Sequence, residues 1–300
     1  MATQRDIEAT YDYMDRVFRL SLGNHADITN AFYDGDFSLT LEQAQNAKHK
    51  YVFDGIKFKP GDKILDIGCG WGPMLAAIKE RGGKGIGLTL SPAQAKACRA
   101  DGLDAQIQDW KKLDAKKFGK MDGVVSIGAF EHFCSIDEYK AGKQEEIYGQ
   151  FFKLCHDALE PDGRLFLQTM MFVKTPDPDK ISVRAAKYSD DWVWGHLAKY
   201  YPGSWAPTGL EQIVRCASPY FNLISENDGR LDYIQTMKEW TKAVKKPSFK
   251  KLLFLLTLVP KYITNQDFRY QLASNRYGCN RLAFERNILS HQRMVFERKA

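Results

Sequence analysis

The nine residues ILDIGCGWG, at positions 64–72, place three glycines at alternate positions directly after an apolar run. A short apolar run that stops at glycines predicts a buried strand that turns sharply into the next element. Glycine backbone allows a ligand to approach closely, and the first N–H groups of a following helix are free to bind it. The stretch therefore predicts a strand, a tight turn and a helix, with a ligand at the turn.

Short apolar runs alternate with helical patterns from about residue 60 to residue 172. The predicted strands are KILDIG, KGIGLTL, DAQIQDW, GVVSIGA and GRLFLQTMM, and the helical patterns between them include PMLAAIKERGG, SPAQAKACRADG and EEIYGQFFKLCHDAL. Such alternation predicts an α/β fold with a mostly parallel sheet covered on both faces by helices. Ligands of such sheets bind outside the carboxyl ends of the strands.

The flanking parts predict helical additions within one structural domain. Residues 1–59 are expected to be a helical segment that covers the cofactor, and residues 173–300 a sheet edge (PYFNLISEND) plus a helical substrate cap. Two Phe-Glu-Arg triplets, at 284–286 and 296–298, are assigned to a helical region of that cap. The segment KKPSFKKLLFLLTLVPKYI joins lysines to an apolar run too short to span a bilayer, so we expect a buried cap helix. The alternative is peripheral membrane contact through residues 246–265.

The composition argues against several kinds of site and partner. The six cysteines form no C-x-x-C pair, which argues against a zinc site or a disulfide framework. His25, His49, His156, His196 and His291 show no metal-ligand spacing and are interpreted as surface or core residues. A net charge of +6 is too weak to predict a nucleic-acid partner. Without an apolar leader, the expected location is cytoplasmic, with membrane association left open; oligomeric state is not indicated.

Asp66 indicates which class of ligand binds at the glycine turn. In the dinucleotide fingerprint G-x-G-x-x-G the third glycine comes one residue later than Gly72 does here. An acid beside the turn favours a cationic ligand group, the reverse of a pyrophosphate. The amino-acid tail and sulfonium of S-adenosylmethionine are positive, so the sequence predicts this cofactor and disfavours a nicotinamide oxidoreductase.

The turn resembles motif I of class I S-adenosylmethionine-dependent methyltransferases, and its neighbours narrow the resemblance. GIGLTLSPAQ, Asp109-Trp110 and VSIGAFEHF, with LTLEQAQNAK upstream and LDYIQTMKEW downstream, resemble the cyclopropane-fatty-acid synthase and mycolic acid cyclopropane synthase family over roughly residues 10–245. The resemblance implies a class I methyltransferase (Rossmann-like) sandwich with a helical cap. By the same resemblance, the cofactor-binding residues are Ile28, Thr29, Asp66, Gly68, Gly70, Gly72, Leu88, Thr89, Gln94, Asp109, Trp110 and Ile127.

The resemblance also implies a catalytic set, and here the sequence departs from the family. In that family a bound bicarbonate acts as base, held by a Cys backbone, a Glu, a His and a Tyr. Glu131 and Tyr233 match, but Asn30 stands where the Cys belongs and Gln168 where the His belongs. A glutamine cannot exchange a proton near neutral pH, so bicarbonate is doubtful, and Glu131, a water or no base at all are the alternatives. His132 is a candidate partner that orients Glu131, or else a core histidine.

These residues predict an S-adenosylmethionine-dependent methyltransferase with no metal. The expected acceptor is a carbon of an unsaturated lipid acyl chain, with or without ring closure. The alternative is N- or C-methylation of a small molecule such as an amine, which needs no carbocation management. A non-catalytic cofactor-binding or lipid-binding protein is disfavoured because Glu131 and Tyr233 are retained.

Overall fold

A seven-stranded sheet forms the centre of the computed structural model, which describes residues 16–23 and 27–300. The strands are β1 (Lys63–Ile67), β2 (Lys84–Thr89), β3 (Asp104–Ile107), β4 (Met121–Ile127), β5 (Leu159–Phe172), β6 (Phe221–Asp228) and β7 (Leu289–Arg298). Their order is β3-β2-β1-β4-β5-β7-β6, with β1 to β5 parallel and β7 antiparallel to both neighbours. This arrangement confirms the predicted α/β class.

Helices cover both faces of the sheet. They are α1 (Leu41–Gly55), α2 (Pro73–Glu80), α3 (Pro92–Ala100), α4 (Ile136–Lys140), α5 (Gln144–Ala158), α6 (Asp190–Tyr200), α7 (Leu210–Ala217), α8 (Arg230–Lys245), α9 (Phe249–Thr257), α10 (Val259–Thr264), α11 (Gln266–Tyr277) and α12 (Cys279–Glu285). Short 3₁₀ turns follow β3 and β4 at Trp110–Lys112 and Phe130–His132, and residues 16–22 are helical. Local signals set several starts: the Thr40 side chain caps α1 in a capping box, and Ser91 caps α3.

Two apolar layers hold the helices against the sheet. On one face, Phe151 and Phe152 of α5 pack with Leu165 and Leu167 of β5. On the other face, residues of α1 and α2 pack with Phe166 and Val295. Because side chains alternate along a strand, β5 serves both layers, and its carboxyl end is fixed between them.

The carboxyl-terminal region differs from the prediction. PYFNLISEND lies at the sheet edge as β6, as expected. The assignment of residues 296–298 to a helical region was wrong: they end β7, which lies between β5 and β6, whereas residues 284 and 285 end α12. The run LSHQRMVFER lacks strict alternation because its residues are buried on both faces. The domain division at residues 59 and 172 stays a prediction.

Helices α9 and α10 carry apolar side chains on the outside. Phe249 is 74% exposed and Ile263 68%, whereas Lys251 is buried with its ammonium donating to the main-chain oxygen of Val244 at 2.9 Å. The other large apolar side chains exposed on these helices are Leu252, Leu253, Leu255, Leu256, Val259 and Tyr262. The expected buried cap helix was therefore wrong. Within the described ranges, no helix has the length and apolarity needed to cross a bilayer.

Candidate active site

The glycine turn joins β1 to α2 with a backbone that only glycine adopts easily. Gly68, Gly70 and Gly72 have φ values of 90°, 54° and 81°. A Cβ on Gly68 would lie 2.4 Å from the Cβ of Ala129, the second residue after β4. The turn is therefore pressed against the segment that follows β4, and both meet at the carboxyl edge of the parallel strands.

A cavity of about 190 Å³, which we call the cofactor cavity, lies at this turn. Ten of the twelve predicted cofactor-binding residues line it: Ile28, Thr29, Asp66, Gly68, Gly70, Leu88, Thr89, Gln94, Trp110 and Ile127. Gly72 and Asp109 do not. A Cβ on Gly72 would meet Cys98 and Leu103 in the core, and the Asp109 carboxylate accepts from the N–H of Lys111 at the start of a 3₁₀ turn.

The Asp66 carboxylate supplies the negative charge predicted for this cavity. It is 2% exposed, and no hydrogen bond or ion pair to it is found among residues 16–23 and 27–300. Burial, aided by the nearby Asp27 charge, raises the pKa of Asp66 to about 7. A buried carboxylate without a partner is costly, and a cationic ligand group would relieve that cost. This observation fits the ammonium tail and sulfonium of S-adenosylmethionine.

Other residues that line the cofactor cavity supply polar groups and an aromatic ring. The Thr89 hydroxyl donates to Oε1 of Gln94 at 2.7 Å, which holds the amide end of Gln94 at the cavity. Trp110 is buried against Phe133 and Phe151, with ring centroids 4.9 Å and 5.6 Å away. An amide and a hydroxyl suit ribose hydroxyls, and an indole suits adenine, so the predicted cofactor-binding role of these residues stays a prediction that their chemistry suits.

An ionic cluster at the cofactor cavity was missed by the sequence reading. The Lys48 ammonium pairs with Asp27 and donates to the Thr29 hydroxyl at 2.7 Å, and the His49 ring lies 3.0 Å from the same Asp27 carboxylate. Burial alone would raise the pKa of Asp27, but the Lys48 charge and the His49 hydrogen bond hold it well below its usual range. The helical spacing of Gln45, Lys48 and His49 on α1 was the available signal.

The amino-terminal helical residues also reach this cavity. The guanidinium of Arg19 lies 4.2 Å from the centre of the Trp71 ring, and Trp71 lines the cofactor cavity. This contact places residues 16–22 beside the glycine turn. Residues 1–15 of the predicted covering segment lie outside the described residues.

A second cavity of about 610 Å³, the acceptor cavity, adjoins the first. The two share Ile28, Thr29, Gly128 and His132 as lining residues. Apolar and aromatic side chains line much of it: Val17, Phe18, Met170, Tyr200, Tyr201, Tyr233, Met237, Trp240 and Tyr277. Uncharged polar residues line it too, among them Asn30, Thr241, Ser274, Asn275 and Asn280. Three basic residues, Lys245, Arg276 and Arg281, line it as well.

Glu131 lines the acceptor cavity near its junction with the cofactor cavity. The carboxylate is 3% exposed and accepts a hydrogen bond from the Thr169 hydroxyl at 2.8 Å. Burial raises the pKa of Glu131 to about 7, against the opposing hydrogen bonds from Thr169 and the Met170 backbone. The group therefore changes charge near neutral pH, as acid–base residues of active sites commonly do.

Of the other three residues of the predicted anion site, two line the acceptor cavity and one does not. Tyr233 and Asn30 line the acceptor cavity, but Gln168 does not. The Asn30 amide donates to the main-chain oxygen of Gly229 at 2.9 Å, and the Gln168 amide donates to that of Asn30 at 3.2 Å. Each amide thus uses an N–H on the main chain, Gln168 does not reach the cavity, and the Glu131 carboxylate does; this set does not fit a bound bicarbonate.

His132 lines both cavities, but it contacts a different partner from the one predicted. Its Nδ1 lies 2.7 Å from the Ser204 hydroxyl, whereas the partners found for Glu131 are Thr169 and the Met170 backbone. Burial lowers the pKa of His132 to about 4, so the ring is neutral at neutral pH. The position of His132 supports a role as part of the cavity wall.

Comparison with known proteins agrees with this geometry. A profile of the family described as mycolic acid cyclopropane synthetase matches residues 1–253. The chain belongs to that family. It is 30% identical over 248 residues to cyclopropane mycolic acid synthase 3 of Mycobacterium tuberculosis, covering 80% of this chain and 81% of that protein. The corresponding synthase 2 of Mycobacterium leprae is 29% identical over 251 residues, with 79% of each covered.

Solved structures give the same fold. The cyclopropane synthase MmaA2 from Mycobacterium tuberculosis superposes with a TM-score of 0.72 at 25% identity, covering 98% of both chains. Coclaurine N-methyltransferase, in a complex with N-methylheliamine and SAH, shares the fold alone at 16% identity, a TM-score of 0.70, and coverage of 96% of this chain and 81% of that one. The protein is thus an S-adenosylmethionine-dependent methyltransferase of the class I fold, which confirms the predicted family, enzyme class and cofactor.

Proposed function

We propose that the protein transfers a methyl or methylene group to a carbon of an unsaturated lipid acyl chain. The observation that carries the proposal is the acceptor cavity, about 610 Å³, lined by apolar and aromatic side chains beside polar ones and joined to the cofactor cavity through shared residues. An apolar, aromatic-walled space suits a hydrocarbon chain. The printed names of the relatives, cyclopropane mycolic acid synthases, support the same acceptor class.

The protein's part in the reaction is positioning and charge stabilisation. S-adenosylmethionine, when bound, supplies an electrophilic methyl group. Asp66 would hold its cationic tail, and Gly128 and Thr29 lie where the two cavities meet. Positive charge that develops on the acceptor is stabilised by the Glu131 carboxylate and by the rings of Tyr233 and Trp240. Burial of Glu131 strengthens this effect, because water does not screen the charge.

Methyl transfer from radiolabelled cofactor tests the acceptor directly. The purified protein is incubated with monounsaturated phospholipid, the saturated counterpart, and a panel of water-soluble amines. We expect label in the unsaturated lipid only. Label confined to the amines would overturn the lipid proposal.

An amine acceptor is the second candidate, favoured by one observation. A buried carboxylate, Glu131, faces a cavity walled by aromatic rings, and this combination also suits a small cation. Substrate profiling of Gln168→His tests it, because the change restores the histidine that the cyclopropane synthase resemblance implies at this position. Amine activity that survives the change, with no lipid product, would favour the second candidate.

The surface of α9 and α10 supports contact with an anionic membrane. Its exposed apolar side chains are accompanied by the exposed lysines Lys242, Lys245, Lys246 and Lys250. Lys245 and Val244 line the acceptor cavity and come directly before α9, so this surface adjoins the cavity. An apolar face flanked by lysines binds at the interface of anionic bilayers. A peripheral location of this kind would let an acyl chain enter from the membrane.

Vesicle cosedimentation tests the membrane contact. Wild type should bind vesicles containing phosphatidylglycerol more tightly than vesicles of phosphatidylcholine alone. The double variant Leu252→Asp/Leu256→Asp should bind roughly 100-fold or more weakly, since each leucine contributes about 1.5–3 kcal/mol when buried. Ile107→Asp, an equally exposed position on β3, is the matched control and should bind as wild type does. Equal binding by all variants would contradict the contact.

A further inference from the structure

His291 lies on β7 at the carboxyl end of β5. The antiparallel register pairs His291 with Met170 and Arg293 with Gln168. Directly opposite residues of antiparallel strands point to the same face, and diagonal neighbours lie within reach of long side chains. His291 is therefore the diagonal neighbour of Gln168, on the face that also carries Met170.

The imidazole of His291 belongs to the wall of the acceptor cavity. It lines that cavity together with Glu131 and Tyr233, is 3% exposed, and its ring centroid lies 5.0 Å from that of Tyr233. No side-chain hydrogen bond to His291 is found within the described parts of the chain, and its Nδ1 is buried without a partner there. Its main-chain oxygen accepts from the N–H of Gly229 at 2.7 Å, which fixes the strand at this point.

Packing alone does not account for a histidine here. Among its neighbours are Met170 and Phe284, for which an aliphatic side chain would serve equally well. A buried polar ring without hydrogen bonds costs stability, so its presence points to an occupant of the cavity. Burial, together with the charges of Arg293 on the same strand and Lys48 on α1, keeps the pKa of His291 well below its usual range. The ring is therefore neutral and has a lone pair to offer.

We propose that His291 is the proton acceptor of this methyltransferase. The inference rests on the proposed function for the acceptor class. After methyl addition to an alkene, the acceptor is a carbocation. A C–H bond of the added methyl group breaks, its electron pair closes the three-membered ring, and the proton passes to an imidazole nitrogen. A cation and a neutral ring thus become a neutral product and an imidazolium ion.

Removing a proton from the carbocation requires only a weakly basic imidazole at His291. A proton beside a carbocation is far more acidic than an imidazolium ion, so a weakly basic imidazole suffices. Glu131 remains the charge that stabilises the cation, with its carboxylate engaged by Thr169 and by the Met170 backbone. The two roles are thus divided between a carboxylate and an uncharged base that line the same cavity.

The test compares His291→Gln with His196→Gln. His196 is a matched control, since it is also buried with an unpartnered Nδ1 but lines neither cavity. The rate of cyclopropane formation should fall by roughly 100-fold or more in His291→Gln, because the proton is removed after methyl addition and a general base contributes about that much. Affinity for S-adenosylhomocysteine, measured by calorimetry, should stay within a few-fold of wild type in both variants. Added imidazole should restore part of the rate in His291→Ala.

A spectroscopic arm needs no turnover. Protein labelled with ¹⁵N-histidine and saturated with S-adenosylhomocysteine is titrated with dodecyltrimethylammonium, which carries both a chain and a cation. The ring resonances assigned to His291 should shift, and those of His196 should not. Unmoved His291 resonances, or a His291→Gln rate within threefold of wild type, would overturn the proposal. Failure of wild type to methylate unsaturated lipid would instead count against the acceptor class, and the rate comparison is then made with the amine that it methylates.

Discussion

The cofactor cavity and the acceptor cavity are built in opposite ways. At the first, the contacts are largely local: Thr89 bonds Gln94, and the glycine turn lies within a few residues of Asp66. At the second, Asn30 bonds Gly229, and the Ala31 N–H donates to Thr236, across about 200 residues of chain. A contiguous stretch of sequence therefore specifies the methyl donor, whereas the acceptor site depends on how distant segments pack.

The ionic groups of the two regions differ as well. At the cofactor cavity, Lys48 and His49 neutralise Asp27, while Asp66 is left for the ligand. Two residues from His291 on β7, the fully buried Arg293 is paired with Asp232 at 3.0 Å, and Glu131 is the carboxylate that lines the acceptor cavity. Each cavity thus contains one carboxylate whose pKa is raised by burial, and each can be tested by removing its charge.

Glu131→Gln should have the largest effect and should act on the acceptor side only. Loss of a preorganised charge at the reacting centre costs roughly 100–1000-fold in rate. Affinity for S-adenosylhomocysteine should be unchanged. In wild type the rate should rise as pH increases through about 7, where Glu131 loses its proton, and this rise should be absent from the variant. Single-turnover methyl transfer over pH measures both.

Glu226→Gln, an exposed carboxylate on β6, is the control for that change and should behave as wild type. A parallel loss of cofactor affinity in Glu131→Gln would show that the two cavities are not separable in function, and the comparison would then break down.

Asp66→Asn should have the next largest effect and should act on the cofactor side. Above about pH 7 the carboxylate is charged, and we expect the variant to bind S-adenosylmethionine roughly 10–100-fold more weakly. Near pH 5 wild-type Asp66 is protonated, so the two proteins should bind alike at about that pH. Calorimetry at both pH values decides the matter. An equal difference at both would mean that Asp66 acts through shape and not through charge.

The same substitution should stabilise the protein without ligand. The pKa of Asp66 is about 7 when folded against 3.8 ordinarily, so between these values the unfolded chain loses a proton that the folded chain retains. Stability of wild type therefore falls as pH rises through this window. The asparagine side chain of the variant is uncharged throughout, so at about pH 8 the variant should be more stable by roughly 4 kcal/mol, the free energy that a pKa rise from 3.8 to about 7 represents. Urea unfolding at both ends of the window measures this gain.

The contrast also explains what could be predicted from sequence. The glycines, Asp66 and the strand–helix alternation are local signals, and from them the fold and the methyl donor followed. The position of His291 in the acceptor cavity and the ionic cluster of Lys48 could not be predicted, because the surroundings of a histidine or a lysine are known only from the register of β7 or the face of α1. Strand β7 was missed for a related reason: a strand buried on both faces lacks the alternation that identifies an edge strand. The exposed face of α9 reverses the usual rule, with a lysine inside and leucines outside.

The smallest expected effect is a difference in the free energy of unfolding between alanine variants of two glycines in the same turn. Gly68→Ala adds a methyl group 2.4 Å from the Cβ of Ala129 at a φ of 90°, whereas Gly70→Ala meets nothing within 4 Å at a φ of 54°. The second change costs only the left-handed backbone, about 1 kcal/mol, and the first adds steric overlap worth roughly 1–3 kcal/mol more. Urea unfolding without ligand should therefore rank wild type above Gly70→Ala, and Gly70→Ala above Gly68→Ala. Equal losses would mean that the turn moves away from Ala129 at little cost, and that the close approach is not what fixes the donor side of the site.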